Sequence, residues 1–273
     1  MYDFAYAKPT SLPDAVKLLG TGDSDAKALA GGQTFIPVLK QRLNKPSTVV
    51  DLSKLGLSGI AVEGGKLVIG AMTTHRDVAL SPVVAKAIPG LIYLAANIGD
   101  IQVRHRGTLG GSLANNDPSA CYPSAVLAMG ATIKTDRREI HADDYFQGMF
   151  TTALEPDEII VSVSFPIPEK AAYAKFANPA SRYAMVGAFV AKGPHGVRVA
   201  VTGAGQGGVF RHAAFEQALT SNWSAEALDG IATPPDDMNA DMHGSAAYRA
   251  HLVGVMAKRA IRASADPLAE VAR

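Results

Sequence analysis

Residues 26–52 read AKALAGGQTFIPVLKQRLNKPSTVVDL, and their pattern decides the fold of the N-terminal part of the chain. Residues 26–30 (AKALA) suit a short buried strand that ends in the glycine turn GGQT at 31–34. Phe35, Ile36, Leu39 and Leu43 then recur at helical spacing, with Lys40 and Arg42 on the other side. Residues 48–52 (TVVDL) supply a second strand. Strand, turn, helix and strand make a βαβ unit, which places the helix N-terminus at the carboxyl end of the first strand. Such a terminus favours a bound anion.

A second glycine stretch lies about 80 residues downstream and reads RHRGTLGGSLANNDPSACYPSAVLAM at 104–129. Gly110 and Gly111 lack a Cβ, so the backbone there is free to take positive φ and turn its N–H groups towards phosphate. A plain tight turn between packed elements is the alternative. Around these stretches, Thr10 or Ser11 caps a helix through 15–19 that Gly20 and Gly22 end. Residues 59–71 form a hairpin turning at 63–65, Thr73 or Thr74 caps a short helix, and 89–98 is a buried helix. Residues 125–129 end an apolar helix, and strands follow at 131–135 and 158–165. Pro166 and Pro168 close the last strand and mark a domain boundary. Beyond it, segments at 173–176, 184–191 and 196–201 predict an antiparallel meander, followed by helices at 210–219 and 246–263 and a tail after Ser264 that frays.

A chain of 273 residues, 48% hydrophobic and 19% charged, can bury a core of one large or two ordinary domains. The net charge of +1 gives no field that would draw it to nucleic acid or an anionic membrane. Cys121 is the only cysteine, which excludes an internal disulfide and an iron–sulfur cluster held by this chain's own thiolates. The N-terminus has no apolar signal region and no run is long enough to span a bilayer, so a cytoplasmic location is expected.

Catalytic constellations are thin. The seven histidines show no metal-ligand spacing and read mostly as surface residues, and there is no G-x-S-x-G elbow. Cys121 has no histidine partner that the sequence picks out, and Asp143 and Asp144 read as structural acids at a helix start. Gly203, Gly205 and Gly208 fit the G-x-G-x-x-G spacing, but residues 228–243 beyond the next helix leave no room for the parallel strand a Rossmann site needs.

The ordered pair AGGQT (30–34) and TLGGS (108–112), with FAYAKP at 4–9, DEII at 157–160 and KFANPASRYA from Lys175, resembles the FAD-binding medium subunit of the molybdenum hydroxylases, the family of carbon monoxide dehydrogenase and xanthine dehydrogenase. The resemblance covers essentially the whole chain. It implies an α+β fold: a PCMH-type FAD-binding domain at 1–168, with α/β subdomains at about 1–55 and 56–168, and a C-terminal domain of the carbon monoxide dehydrogenase flavoprotein type at 169–273, with a small antiparallel sheet and helices. It also implies an electron-transfer subunit. Electrons from [2Fe-2S] clusters in a small partner pass through FAD to an external acceptor, substrate being hydroxylated at the molybdopterin cofactor of a large partner, in a dimer of heterotrimers. The rival reading is a free-standing flavin oxidase acting directly on a small substrate.

Carried onto this sequence, the resemblance makes Lys27, Ala28, Leu29, Ala30, Gly31, Gly32, Gln33 and Thr34 the first FAD loop. Thr108, Leu109, Gly110, Gly111 and Ser112 form the second, and Ile160 lies near the isoalloxazine. Lys175 approaches the flavin, where a cation favours the anionic reduced ring, and Tyr183 shields one ring face. Two positions leave the family pattern: Cys121 stands where an Asp is usual, with Asp117 as the available acid, and Arg182 precedes the aromatic where Asp is frequent.

Overall fold

The computed structural model describes residues 1–20 and 25–267. The N-terminal unit runs β1 (Ala5–Ala7), α1 (Leu12–Leu19), β2 (Ala26–Leu29), α2 (Phe35–Lys40) and β3 (Thr48–Asp51). Its three strands lie in the order β1-β3-β2, all parallel, with Ala28 opposite Val50. The expected βαβ unit is present, and β1 is an addition that three residues of sequence are too short to signal. Ser11 is the N-cap of α1, its side chain accepting from Asp14 N, and Gly20 is the C-cap. Gly22 and residues 268–273 of the tail lie outside the described residues. Ala15, Leu19, Ala26, Val50 and Leu52 make a small core that Ile159 completes from the next unit.

The middle unit begins with the hairpin β4 (Ile60–Glu63) and β5 (Lys66–Gly70), turned by Gly64 and Gly65 at φ +55° and +74°. Helices α3 (His75–Ala79), α4 (Pro82–Ala87), α5 (Pro89–Ala96), α6 (Ile101–Arg106), α7 (Leu109–Asn115) and α8 (Tyr122–Ala128) follow. Then come β6 (Thr132–Thr135), β7 (Glu139–His141), α9 (Ala142–Tyr145), the small pair β8 (Phe146–Gly148) and β9 (Thr151–Thr152), and β10 (Ile160–Pro166). The antiparallel sheet β4-β5-β10-β6-β7 packs under α5, α7 and α8 through Leu67, Ile69, Leu91, Tyr122, Val163 and Phe165.

The last unit is the expected meander: β11 (Lys170–Ala177), β12 (Ala184–Gly193), β13 (Gly196–Thr202) and a short β14 (Phe210–Arg211), with α10 (Ala213–Ser221) and α11 (Ala246–Ala263). Both faces of this sheet are covered. Tyr173, Phe189, Ala191 and Ala200 join the core of the middle unit, while Val186, Ala188, Val190, Val199 and Val201 pack against Phe215, Val253 and Met256 of the two helices. A strand buried on both faces reads as a continuous apolar run, as AMVGAFVA does. Gly203, at φ +82°, leads through a turn into β14, which pairs antiparallel with β13. The glycine spacing there belongs to a turn, since a dinucleotide fold needs a parallel strand.

Candidate functional site

The units meet around a cleft of about 740 Å³. This lies within the range of roughly 300–1,000 Å³ usual for small-molecule sites. Both glycine stretches line it, together with residues 158–160 at the start of β10, Lys175 of β11 and residues 180–183.

The first stretch leaves β2 at Leu29 and turns into α2. Gly32 has φ +73°, which demands glycine. Gly31 is required for a different reason: a Cβ there would stand 2.0 Å from the carbonyl oxygen of Arg106 and 2.8 Å from Gly107 Cα. The two stretches therefore touch backbone to backbone, and a side chain at 31 would wedge them apart. At the head of α2, Thr34 makes no side-chain capping bond, in contrast to Ser11, Thr74, Ser81 and Thr108 at the helices they begin.

The second stretch departs from the sequence expectation. Gly110 and Gly111 lie in the first turn of α7 and neither has positive φ. Their N–H groups are engaged: Gly110 N donates to Ala71 O at 2.8 Å, and Gly111 N to Thr108 Oγ1 at 3.1 Å. Leu109 N and Ser112 N donate to Thr73 O and Thr108 O. These glycines serve close packing. A Cβ on Gly110 would meet Ala71 Cβ at 2.6 Å and Ala71 O at 2.9 Å, whereas one on Gly111 would meet only the Thr108 hydroxyl at 2.8 Å and Ala30 Cβ at 3.5 Å.

Of the residues expected at the site, Lys27, Ala28, Ala30, Gly31, Gly32, Gln33, Thr34, Thr108, Gly110, Gly111, Ser112, Asp117, Ile160, Lys175 and Tyr183 line the cleft. Leu29 and Leu109 do not. Leu29 packs beneath Gly32, whose Cβ position is 3.3 Å from Leu29 Cδ1, and Leu109 is fully buried in the core of the middle unit. Each is the apolar anchor of its stretch. Lys27 is paired with Asp25 at 2.8 Å.

At the other end of the cleft, Lys175 Nζ donates to Asn97 O at 2.8 Å and lies 3.5 Å from Cys121 Sγ. Asp117 Oδ1 accepts from Ser119 N, and burial raises its pKa above the usual carboxylate range. Thr202 Oγ1 donates to Pro118 O or Ala120 O, so the end of β13 holds the loop that carries Asp117 and Cys121. Tyr183 is half exposed in the loop after β11, and burial of its phenol, with Asp117 next in weight, raises its pKa.

Sequence reasoning missed three contributors. His75 was expected among surface histidines, yet it is buried, lines the cleft and stacks at a tilt on Tyr122 with ring centroids 5.4 Å apart. Its Nδ1 has no hydrogen-bond partner among the described residues, and burial, reinforced by the Arg104 charge, lowers its pKa to about 4. It is neutral at pH 7. Gly107 makes room for it, since a Cβ there would lie 2.6 Å from His75 Nε2. Glu158 and Arg182 also line the cleft, and the buried Glu158 carboxylate pairs with the exposed Arg138 at 2.7 Å. No periodicity or motif signals His75; the TTHR segment carried only a capping signal.

Comparison with known proteins bears on this geometry. Residues 2–168 match the family model described as the FAD binding domain in molybdopterin dehydrogenase. The chain is 37% identical over 271 residues to the nicotine 6-hydroxylase medium subunit of Paenarthrobacter nicotinovorans, across 94% of this chain and 95% of that one. It is 33% identical to the carbon monoxide dehydrogenase medium chain of Hydrogenophaga pseudoflava, across 96% of each. Among solved structures, CO dehydrogenase from Oligotropha carboxidovorans superposes with a TM-score of 0.89 at 33% identity, covering 96% of this chain and 98% of that one. Quinoline 2-oxidoreductase from Pseudomonas putida 86 superposes with a TM-score of 0.85 at 32% identity, covering 97% and 98%.

Proposed function

This chain belongs to the FAD-binding medium subunits of the molybdenum hydroxylases, and on that premise we propose that it receives electrons from the [2Fe-2S] clusters of a small partner subunit and passes them through FAD to an external acceptor. The molybdopterin cofactor and the clusters belong to the partner subunits. The large partner hydroxylates substrate, and the assembly is a cytoplasmic dimer of heterotrimers. Among the described residues no helix is long and apolar enough to cross a membrane. Residues 1–168 form the FAD-binding domain, with subdomains meeting near residue 55, and 169–273 the C-terminal domain that closes the far end of the cleft.

The carrying observation is the contact of Gly31 with the Arg106 carbonyl, which makes two stretches far apart in sequence into one wall. The residues fit FAD. Gly111 presents no side chain to the cleft, and at the head of α2, where Ile36 N donates to Gly32 O and residue 37 is proline, the N–H groups of Thr34 and Phe35 have no hydrogen-bond partner among the described residues and stand open to a phosphate. Bound there, FAD supplies a carrier that accepts and releases electrons one or two at a time. Residues 27–34 would hold the diphosphate, while 108–112, whose N–H groups are already bonded, would offer the side-chain-free surface of Gly110 and Gly111 and the Ser112 hydroxyl to the ribityl chain, with Leu29 and Leu109 anchoring the stretches from behind. Asp117 would hold polar groups of the chain, and Ile160 would exclude water from the ring. Lys175, held by Asn97 O, would offer a positive charge to the negative charge that the flavin gains on reduction, and Tyr183 would cover one face of the ring.

The test compares two neighbouring glycines by flavin absorbance and circular dichroism of the purified complex. Gly111→Val displaces only a hydroxyl and is expected to leave a folded chain with less than a tenth of the normal FAD. Gly110→Val drives into Ala71 backbone and is expected to lose the fold itself. Full flavin content in Gly111→Val would refute the placement.

A further inference from the structure

Beside the main cleft lies a second cavity of about 370 Å³, which shares Gly99, Lys175 and Arg182 with it. Its charged lining consists of Arg104, Lys175 and Arg182, and no carboxylate lines it. None of these three cations forms an ion pair among the described residues.

Two of the cations are fixed by backbone carbonyls at the end of α5, Lys175 having Cys121 Sγ as a second partner at 3.5 Å. Lys175 Nζ donates to Asn97 O, and Arg104 Nη1 to Ile98 O at 3.2 Å, which leaves most of the guanidinium's five N–H groups free. Arg182 makes no side-chain hydrogen bond among the described residues, but its backbone is tightly determined. It sits at φ +60°, its N–H donating to Asn178 O at 2.8 Å, while Asn178 N donates to Tyr183 O at 2.8 Å. Asn178 Oδ1 accepts from Ala180 N and Ser181 N, closing the loop. A non-glycine residue in the left-handed region persists only where its surroundings enforce it. Here the enforced conformation carries Arg182 to the rim shared by the two cavities.

Three cations around one concavity repel one another, and a bound anion turns that repulsion into attraction. We propose that this cavity holds the phosphate or diphosphate group of a small-molecule electron acceptor, placing the acceptor's reactive part against the ring end of the FAD cleft. The proposal rests on the FAD placement given above, in which the ring lies between Ile160, Lys175 and Tyr183.

The probe is inorganic pyrophosphate, titrated calorimetrically into the full chain with and without saturating FAD. With FAD present, one site is expected to remain, weakened about tenfold or more by Arg182→Gln and by Arg104→Gln and weakened further by salt, with the flavin spectrum unchanged. No pyrophosphate binding beside FAD, or binding indifferent to both substitutions, overturns the pocket. A chain that takes up no FAD refutes the cleft reading instead, and the Arg182 dependence of pyrophosphate binding still decides the pocket. In the assembled complex, reoxidation by ferricyanide is expected to slow severalfold in Arg104→Gln, Arg104 lining only the second cavity, and in the wild type with pyrophosphate present, while pyrophosphate is expected to leave reoxidation by a ferrocenium cation unchanged. If pyrophosphate binds but leaves ferricyanide turnover untouched, the site takes free phosphate and the acceptor role is refuted.

Discussion

Replacing Glu158 by Gln tests the strongest electrostatic statement that the fold makes. The Glu158 carboxylate accepts from Arg138 Nε at 2.9 Å, Arg138 Nη2 at 2.7 Å, Thr135 Oγ1 at 2.7 Å and Glu155 N at 3.0 Å. The bonds from Arg138 outweigh the burial of the carboxylate and hold its pKa at about 2, against an ordinary 4.5. At about 1.36 kcal/mol per pH unit, that difference corresponds to roughly 3 kcal/mol. The Arg138 side chain is 44% exposed, and screening of its charge by water reduces the figure to about 2 kcal/mol. The folded pKa is depressed, so this stability is complete above pH 4.5 and is lost as the pH falls towards 2, about half of it by pH 3. Urea unfolding of wild type and Glu158→Gln should therefore differ by about 2 kcal/mol at pH 7 and by about 1 kcal/mol at pH 3. A difference that stays constant across this range, or one below about 0.5 kcal/mol at pH 7, would show that the ion pair adds nothing beyond its neutral hydrogen bonds.

His75 produces a slope at higher pH. Its folded pKa of about 4 lies below 6.5, so the unfolded chain binds the proton that the folded chain refuses; stability is greatest above pH 6.5 and declines as the pH drops towards 4, by up to roughly 3 kcal/mol. His75→Gln should flatten the stability profile between pH 7.5 and 4.5 relative to wild type; equal slopes would mean that the imidazole is not shielded from water. Asn116 ends α7 at φ +41° and donates through Nδ2 to Gly148 O and Thr151 O, both at 2.8 Å. Asn116→Ala should cost about 3 kcal/mol and Asn116→Gly about 1 kcal/mol less, because glycine accepts the left-handed backbone. A thermal melt in which both variants match wild type would dismiss this hinge between α7 and the β8–β9 hairpin.

The sequence by itself determined the local elements and their order. Apolar residues at helical or alternating spacing, glycine turns and hydroxyl caps specified the βαβ unit, the 59–71 hairpin, the meander and α11, because each depends on neighbours within a few residues. It also picked out two glycine stretches, far apart in the chain, that the fold brings to the lining of one cleft. The short helices α4, α6 and α7 were not legible: six or seven residues carry too little periodicity, and LGGSLAN contains two glycines that argue against a helix. Only the tertiary structure decided why the glycines are there. Gly31 is required by a carbonyl 75 positions downstream and Gly110 by Ala71, contacts that no local pattern encodes. The same holds for His75, whose neutrality comes from burial beside Tyr122 and Arg104, and for Glu158 of the DEII motif, whose low pKa depends on Arg138 in the β6–β7 turn, 20 positions away. Long-range packing sets desolvation and charge proximity, and those two quantities turned a string of plausible turns into a cleft with a cationic pocket at its edge.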